Sequence, residues 1–526
     1  MNSYKRNAFT YATIVALGGF VFGLDAAVIS GTTKFITQEF NLTALQIGTA
    51  VSAPGFGVLF ALPLAGIFSN KFGRKKVLIG IAAIYLMSAV LSALATNFYG
   101  LVAARFLGGL AFSSLSLASM YIGEIAPPEW RGKLVSMNQI NIVVGLSTAY
   151  FVNYLILQLA GSGAGWVQSI GLDVNTWRFM LGSEILPALL WLILLFFIPE
   201  SPSWLVYKGR NTEAAVVLEK IYDKAEIPAQ IEEMKESIAS SISSEDKQSI
   251  GSQLKEMFSS RYSKIVIIGA TIAIAQQVSG INAILFYAPT VFEQLGGGTD
   301  TAFMQSIYTG LVGIFFTVLG LLLIDKIGRR PITIWGLAWT ALSLFICAYG
   351  FSQARYTLTP EHITEIKQEN LIDTSKLQSL VGVEFDSDTA FKAALVKTIG
   401  EKDTRDYSSA LIQKAGVISA GLILFGILSF IAAFHFSIGP VMWVLFSEIF
   451  PISLRGIAIP TFAFVTSISS LLVQFFFPWQ LENMGATTVF ASYAIMVLIG
   501  FIILYFYLIE TKNMSIEEIQ QKLIKE

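Results

Sequence analysis

The stretch Gln276-Gln277-Val278-Ser279-Gly280-Ile281-Asn282, followed by Tyr287 and Pro289, lies inside an apolar run from Ile265 to Phe292. Two adjacent primary amides and an asparagine in a segment that must cross lipid are costly unless they find partners. On an unbroken helix, at roughly 100° per residue, Gln277 and Asn282 point about 140° apart. Gly280 weakens the helix between them, and a break there lets the amides converge on one cavity. An amide donates and accepts at once, which suits a ligand covered in hydroxyls. Such groups also bridge neighbouring helices, and the stretch alone does not separate the two roles.

Composition supports a lipid-embedded chain. Of 526 residues, 54% are hydrophobic and only 13% charged, unlike a soluble globular protein. Aromatics at 13% and 43 glycines fit a bundle of membrane helices. A net charge of −1 argues against a nucleic-acid partner. The single cysteine, Cys347, excludes an intramolecular disulfide, and with only two histidines no metal site is expected. No Gly-rich loop followed by Lys-Ser/Thr is present, so ATP drive and a bound cofactor are not expected. Lys5 and Arg6 before an apolar stretch mimic a signal peptide; without a small-residue cleavage site, the first helix is expected to be retained.

Apolar runs long enough to cross the bilayer, about 20 residues, fall near 8–30, 46–69, 77–96, 99–122, 134–158, 178–198, 263–292, 303–324, 332–351, 412–443, 456–478 and 487–509. Twelve spans put both termini on one side. Lys71, Arg74, Lys75, Lys76, Arg131, Lys133, Lys326, Arg329, Arg330 and Arg455 all occupy alternate short loops. The positive-inside rule then places both termini in the cytoplasm of a cell (inner) membrane protein. The expected organisation is an N-terminal half (1–198), a cytoplasmic helical linker (199–262), a C-terminal half (263–509) and a cytoplasmic tail (510–526). Residues 352–411 interrupt the second half on the outer side as a small cap, a partner site or, by default, a solvated insertion. Their Lys367, Lys376, Lys392 and Arg405 do not overturn the topology, because long loops translocate largely regardless of charge.

The chain repeats itself. Glu124-Ile125-Ala126-Pro127 leads to Arg131-Gly132, and Glu448-Ile449-Phe450-Pro451 leads to Arg455-Gly456, 324 residues later. Asn70-Lys71-Phe72-Gly73-Arg74 matches Asp325-Lys326-Ile327-Gly328-Arg329, 255 residues later. The difference, 69 residues, is close to the size of the outer insertion. Two six-span halves in parallel repeat are the signature of rocker-type transporters. Arginine beside glycine in a tight turn can donate bidentate bonds to a carboxylate from a neighbouring helix end. Arg74, Glu124, Arg131, Glu200, Asp325, Arg329, Arg330, Glu448 and Arg455 are therefore candidates for a cytoplasmic gate that releases as the halves rock.

Several motifs resemble the sugar porter family of the major facilitator superfamily. They are Phe22-Gly23-Leu24-Asp25-Ala26-Ala27-Val28-Ile29-Ser30-Gly31 in span 1, Pro199-Glu200-Ser201-Pro202-Ser203-Trp204-Leu205 after span 6, and Gln276 to Asn282 in span 7. Glu510-Thr511-Lys512, with Ser515 and Glu517-Glu518-Ile519, completes the set. Gly132 to Asn153 looks most like the bacterial xylose–proton symporter branch. The resemblance implies an all-α fold of twelve transmembrane helices working by alternating access as a monomer in the lipid bilayer. It implies that Phe22, Gln139, Gln276, Gln277, Asn282 and Trp443 contact a monosaccharide. Amides bond hydroxyls, and an indole or phenyl face packs on the C–H face of a pyranose. The pattern also departs from the family. Ser203 replaces an arginine and Asn70 an aspartate, while Leu146, Gly313, Thr466 and Ser467 stand where relatives often carry amides or tryptophan.

Asp25 in span 1 and Arg105 in span 4 are charges in apolar surroundings, where a lone charge is costly or neutralises. Paired, Arg105 holds Asp25 ionised; displaced, it leaves an acid that takes a proton. Glu184 in span 6 is a third candidate. A carboxylate whose charge follows conformation is the minimum requirement for proton coupling. His435, eight residues before Trp443, reads as a packing group. These readings converge on a proton-coupled pentose or hexose symporter. The alternatives are an uncoupled facilitator and a transporter-like sugar sensor. No nucleophile–base pair is visible for an enzyme.

Overall fold

The computed structural model describes residues 3–127, 130–245, 250–368, 372–514 and 516–523. Ser515 lies outside this set, as do the side chains of Arg131, Arg405 and Glu517. The apolar runs form long helices. Span 1 is Ser3–Phe40, span 2 Ala44–Phe72, span 3 Arg74–Ala93, span 4 Phe98–Ile125 and span 5 Arg131–Ala160. Span 6 is Thr176–Leu195, span 7 Ser260–Phe286, span 8 Gly298–Ile327, span 9 Arg329–Ser352 and span 10 Ala420–Ile449. A continuous helix from Ile452 to Tyr507 follows, but Gly485 inside it has φ 75° and ψ 160°, which turns the chain back. That joint divides it into spans 11 and 12, so the described residues carry twelve crossings.

Two spans begin on a polar side-chain cap. Thr43 and Gln46 form a reciprocal capping box at span 2, and Asn97 accepts the Gly100 N–H at 2.9 Å. Large apolar side chains such as Leu186, Trp335 and Phe506 are three-quarters exposed, which suits a protein whose outer solvent is hydrocarbon.

The repeat is structural as well as sequential. Span 4 breaks at Ser113 and span 10 breaks at Ser437, which are 324 residues apart, the separation of Glu124 from Glu448. Gly73 (φ 97°) and Gly328 (φ 106°) make the same left-handed turn between spans 2 and 3 and between spans 8 and 9. The halves meet where span 5 packs on span 8 and span 2 on span 11. At Gly310 an added Cβ would lie 2.6 Å from the Ser147 hydroxyl, so only glycine permits that approach. We call the end of the bundle bearing the Arg–Gly turns the motif face and the opposite end the insertion face.

Of the readings open for the outer segment, the default of a solvated insertion gives way to the small cap: the segment is folded. Strands Arg355–Thr357, Glu384–Phe385 and Gly416–Val417 form an antiparallel sheet that pairs Arg355 with Val417, closing the segment at its base. Helices Pro360–Gln368, Asp388–Ile399 and Glu401–Ala415 surround a separate core containing Tyr356, Leu377, Phe391 and Leu395. Tyr356 and Phe391 stack at 6.1 Å. Span 10 accordingly starts at Ala420 rather than near 412, because the preceding residues belong to this cap. The segment between the halves folds as helices Pro202–Tyr207, Asn211–Leu218, Ile227–Glu245 and Ile250–Met257.

Candidate functional site

Span 7 is helical to Val278, breaks at Gly280 (φ 81°), resumes as Ile281–Phe286 and breaks again before Ala288–Glu293. The left-handed φ suits glycine, and a Cβ there would run into the Tyr493 ring. The break brings the three amides together. Asn282 Nδ2 donates to Gln277 Oε1 at 2.8 Å and to Ser470 Oγ at 2.6 Å. Gln277 Nε2 donates to Gln276 Oε1 at 3.1 Å, and Gln276 Nε2 reaches the Gly439 carbonyl at 3.5 Å. Gln474 Nε2 donates to the same Ser470 hydroxyl at 2.7 Å, and the Tyr287 hydroxyl donates to the Gln474 carbonyl at 3.0 Å. A single polar relay thus joins spans 10, 7 and 11 near mid-bundle. Here the amides satisfy one another, and a ligand hydroxyl can replace either partner in each bond.

The other expected contacts have fewer ties. Phe22 is half-buried, edge-on to Phe112 at 4.5 Å. Gln139 is half-buried on span 5. Trp443 is 46% exposed and edge-on to Phe446 at 5.9 Å. Sequence reading missed Ser470 and Gln474, whose i, i+4 spacing on span 11 was the available signal. It also read His435 as packing. His435 Nδ1 lies 3.0 Å from the Thr317 hydroxyl, but the buried Nε2 has no partner. That nitrogen would be 3.3 Å from a Cβ placed on Gly313, a position where the resembling family often has an amide.

Asp25 and Arg105 are 1% and 2% exposed and form an ion pair through Oδ1 and Nη1. Arg105 Nη2 also donates to the Asp25 carbonyl at 3.2 Å. Yet Arg105 Nε is buried without a partner. Glu184, 4% exposed, stands beside the pair, where a proton shared between its carboxyl and that of Asp25 would satisfy both, and the Tyr85 hydroxyl adjoins Ser114. The pocket between spans 1, 3, 4 and 6 thus gathers two acids and one arginine away from water, where each group's charge depends on its neighbours.

On the motif face the two halves carry the same circuit. Arg74 Nε and Nη2 donate to Glu124 at 3.0–3.2 Å, and the Ser201 hydroxyl donates to the same carboxylate. Arg329 donates to Glu448 at 2.9–3.3 Å, and the Thr511 hydroxyl donates to Glu448 at 2.6 Å. Glu200 accepts the N–H groups of Arg74 and Lys75 at 2.9 and 3.1 Å; Glu510 accepts those of Arg329 and Arg330 at 3.0 and 3.1 Å. Each carboxylate caps the positive end of a helix in its own half, span 3 or span 9, from a distance in sequence. Lys75 Nζ donates to the Phe196 carbonyl at 2.9 Å, and Arg330 Nε to the Leu508 carbonyl at 2.7 Å, capping the last span of each half. Asp325 pairs with Arg329 at 2.9 Å, whereas Arg455 donates to the Phe450 carbonyl at 3.2 Å. All these bonds stay within one half, or tie it to the segment that follows its sixth span.

Bonds between the halves, among the described residues, lie at mid-bundle or toward the insertion face. Tyr150 donates to the Leu285 carbonyl at 2.5 Å, and Thr33 meets Thr290 at 3.2 Å. Lys34 Nζ lies 3.3 Å from Glu293 and 2.8 Å from the Thr299 hydroxyl.

A family model described as "Sugar (and other) transporter" matches residues 11–360 and 407–523. The chain belongs to the sugar transporter family. Among its relatives, the D-xylose-proton symporter of Escherichia coli (strain K12) is 31% identical over 99% of this chain and 97% of its own length. The glucose transporter GlcP of Staphylococcus epidermidis is 30% identical over 99% of this chain and 98% of its own. A solved structure titled as the inward open conformation of the xylose transporter XylE from E. coli superposes with TM-score 0.73 at 29% identity, covering 98% of this chain and 100% of that one. The family places the chain in the major facilitator fold, among multi-pass sugar porters of the xylose branch. The match stops at 360 and resumes at 407, so most of the cap has no counterpart in the family pattern.

Proposed function

We propose that the chain is a proton-coupled monosaccharide symporter of the cell (inner) membrane, with the motif face in the cytoplasm. The observation that carries the coupling is the buried acid pocket: an ion pair, Asp25–Arg105, with a second acid, Glu184, at its side. A proton arriving on Asp25 cancels its attraction for Arg105 and frees span 1 from span 4. Span 1 carries Phe22 one turn away, so the same movement reaches the sugar cavity.

In this reading Gln276, Gln277 and Asn282 bond the sugar hydroxyls in place of one another, with Ser470, Gln474 and Gln139 at the flanks. Phe22 and Trp443 supply apolar faces for the ring. A pyranose with four hydroxyls needs such donor–acceptor groups, because each hydroxyl stripped of water unbonded costs about 1–3 kcal/mol. The bridges on the insertion face hold that end shut, so the cavity opens toward the motif face, as expected of one state in an alternating-access cycle. The duplicated circuits keep the motif end of each half rigid as a rocking body. Arg74, Glu124, Glu200, Asp325, Arg329, Arg330 and Glu448 serve that role, and Arg131 and Arg455 pair across the halves when that end closes.

Liposomes containing the purified chain test this reading with a panel of pentoses and hexoses. Accumulation driven by an inward proton gradient supports it. Equilibration without accumulation assigns an uncoupled facilitator instead, and specific binding without uptake assigns a sensor.

A further inference from the structure

A cavity of about 920 Å³ lies between the cap and the insertion face of the bundle. Its walls come from three bodies. The N-terminal half contributes the end of span 1 and the start of span 2, including Thr37 and Gln38. The C-terminal half contributes spans 7 and 11, including Gln294, Phe477 and Asn483. The cap contributes the facing helices Asp388–Ile399 and Glu401–Ala415, through Thr389, Lys392, Thr404 and Ser408. The floor is the closed end of the transport path, where Thr33 and Thr290 meet and Lys34 bridges to Glu293.

We propose that this cavity is a second saccharide site, a vestibule that holds sugar against the closed outer end of the path and exists only because of the cap. Three features fix the ligand class. Both lysines are paired, Lys34 with Glu293 at 3.3 Å and Lys392 with Asp388 at 3.5 Å, while Glu401 and Glu482 leave the walls acidic overall, which turns away anions and supplies acceptors for sugar hydroxyls. The rest is a surface of hydroxyls and amides, from Thr37, Gln38, Thr389, Ser408 and Asn483, the groups that suit a neutral polyol. The volume exceeds the lower bound for small-ligand cavities, roughly 300 Å³, so a mono- or disaccharide fits with water around it.

The cap is positioned firmly enough to form a wall. Asp388 is 8% exposed and lies against the Gly485 joint, where an added Cβ would be 2.7 Å from its Oδ1. Ile418 packs on both the cap core and the bundle core. The cap therefore rides on the C-terminal half and overhangs the N-terminal half, so rocking the halves changes the vestibule along with the transport cavity. The ligand class rests on the sugar-transport reading; the cavity itself does not.

Equilibrium binding of radiolabelled D-glucose and D-xylose to the purified full chain tests the proposal. The central relay is removed by Gln277→Ala. The vestibule is filled by Ala393→Trp, at an exposed position lining it, and independently by Ser408→Trp. The expected result is two sugars per wild-type chain and one per chain in each single variant. The site lost with Ala393→Trp should survive Gln277→Ala, and vanish in the double variant. One sugar per wild-type chain, lost with Gln277→Ala and kept with both tryptophan variants, overturns the vestibule and leaves the transport reading intact. Two sugars in wild type with both retained in the tryptophan variants also overturns it. No bound sugar in wild type overturns the transport reading and the vestibule together. The surviving central site reports that each tryptophan variant is folded.

Discussion

Asp25 and Gln277 illustrate how much a single side chain carries here. Asp25 is buried and paired, so its charge state is tied to the position of Arg105. Asp25→Asn is expected to abolish sugar accumulation driven by a pH gradient while sugar exchange across the same vesicles continues; accumulation at the parent level would remove Asp25 from the coupling step. Arg105→Leu leaves a buried acid uncompensated and should lower stability by about 3–5 kcal/mol, read as a lower melting temperature in detergent. Pairing it with Asp25→Asn should recover much of that loss. Gln277→Ala deletes the centre of the amide relay and should weaken sugar binding about tenfold to a hundredfold, from roughly 1–3 kcal/mol of hydrogen bonding left unmade. The amides were legible in the sequence because polar groups inside an apolar run demand an explanation. Ser470 and Gln474 were not, because a serine and a glutamine on span 11 acquire meaning only when the bend in span 7 swings Asn282 toward them. The spare nitrogen of His435 was hidden for the same reason: its environment is set by Thr317 and Gly313, more than a hundred residues away.

At the scale of elements, the decisive feature is a helix that stops and restarts. Gly280 holds a left-handed conformation, and the ring of Tyr493 fills the space a side chain would need. Gly280→Ala should cost about 1–2 kcal/mol for the backbone alone and more for the ring, lowering both melting temperature and sugar affinity. Adding Tyr493→Ala relieves the contact but not the backbone, so it should restore stability only in part; full recovery would show that the left-handed turn is dispensable. The duplicated carboxylate caps make a parallel prediction. Glu200→Gln and Glu510→Gln each weaken the capping of span 3 or span 9 and should lower thermal stability by similar amounts, of order 1 kcal/mol. A large loss for one and none for the other would break the equivalence of the halves. The repeat was visible in the sequence because identical spacings of Glu, Pro, Arg and Gly recur. The tight joint at Gly485 was expected only as a gap between two apolar runs, and its geometry depends on the cap residue Asp388 lying against it.

The whole molecule is two similar six-span bodies joined toward one face, with a folded cap over that face. Twelve spans follow from hydropathy, which is a local property of the chain. The cap did not, because its core is assembled from isolated apolar residues such as Tyr356, Leu377 and Phe391, scattered through a polar segment. No run there is long enough to announce a core. Since Arg355 pairs with Val417, the two ends of the cap lie about one strand spacing apart, ~5 Å. Replacing the residues between those strands with a short turn should leave a chain that folds and equilibrates sugar; loss of folding would show the cap to be part of the bundle. The central claim is that sugar and proton cross together, one face at a time. Its most direct test is the pH of a weakly buffered suspension of liposomes containing the purified chain, followed as a transported sugar is added outside. The account predicts an alkalinisation that saturates with sugar concentration and is absent with Asp25→Asn. Sugar entry at the same rate with no change in external pH would contradict it.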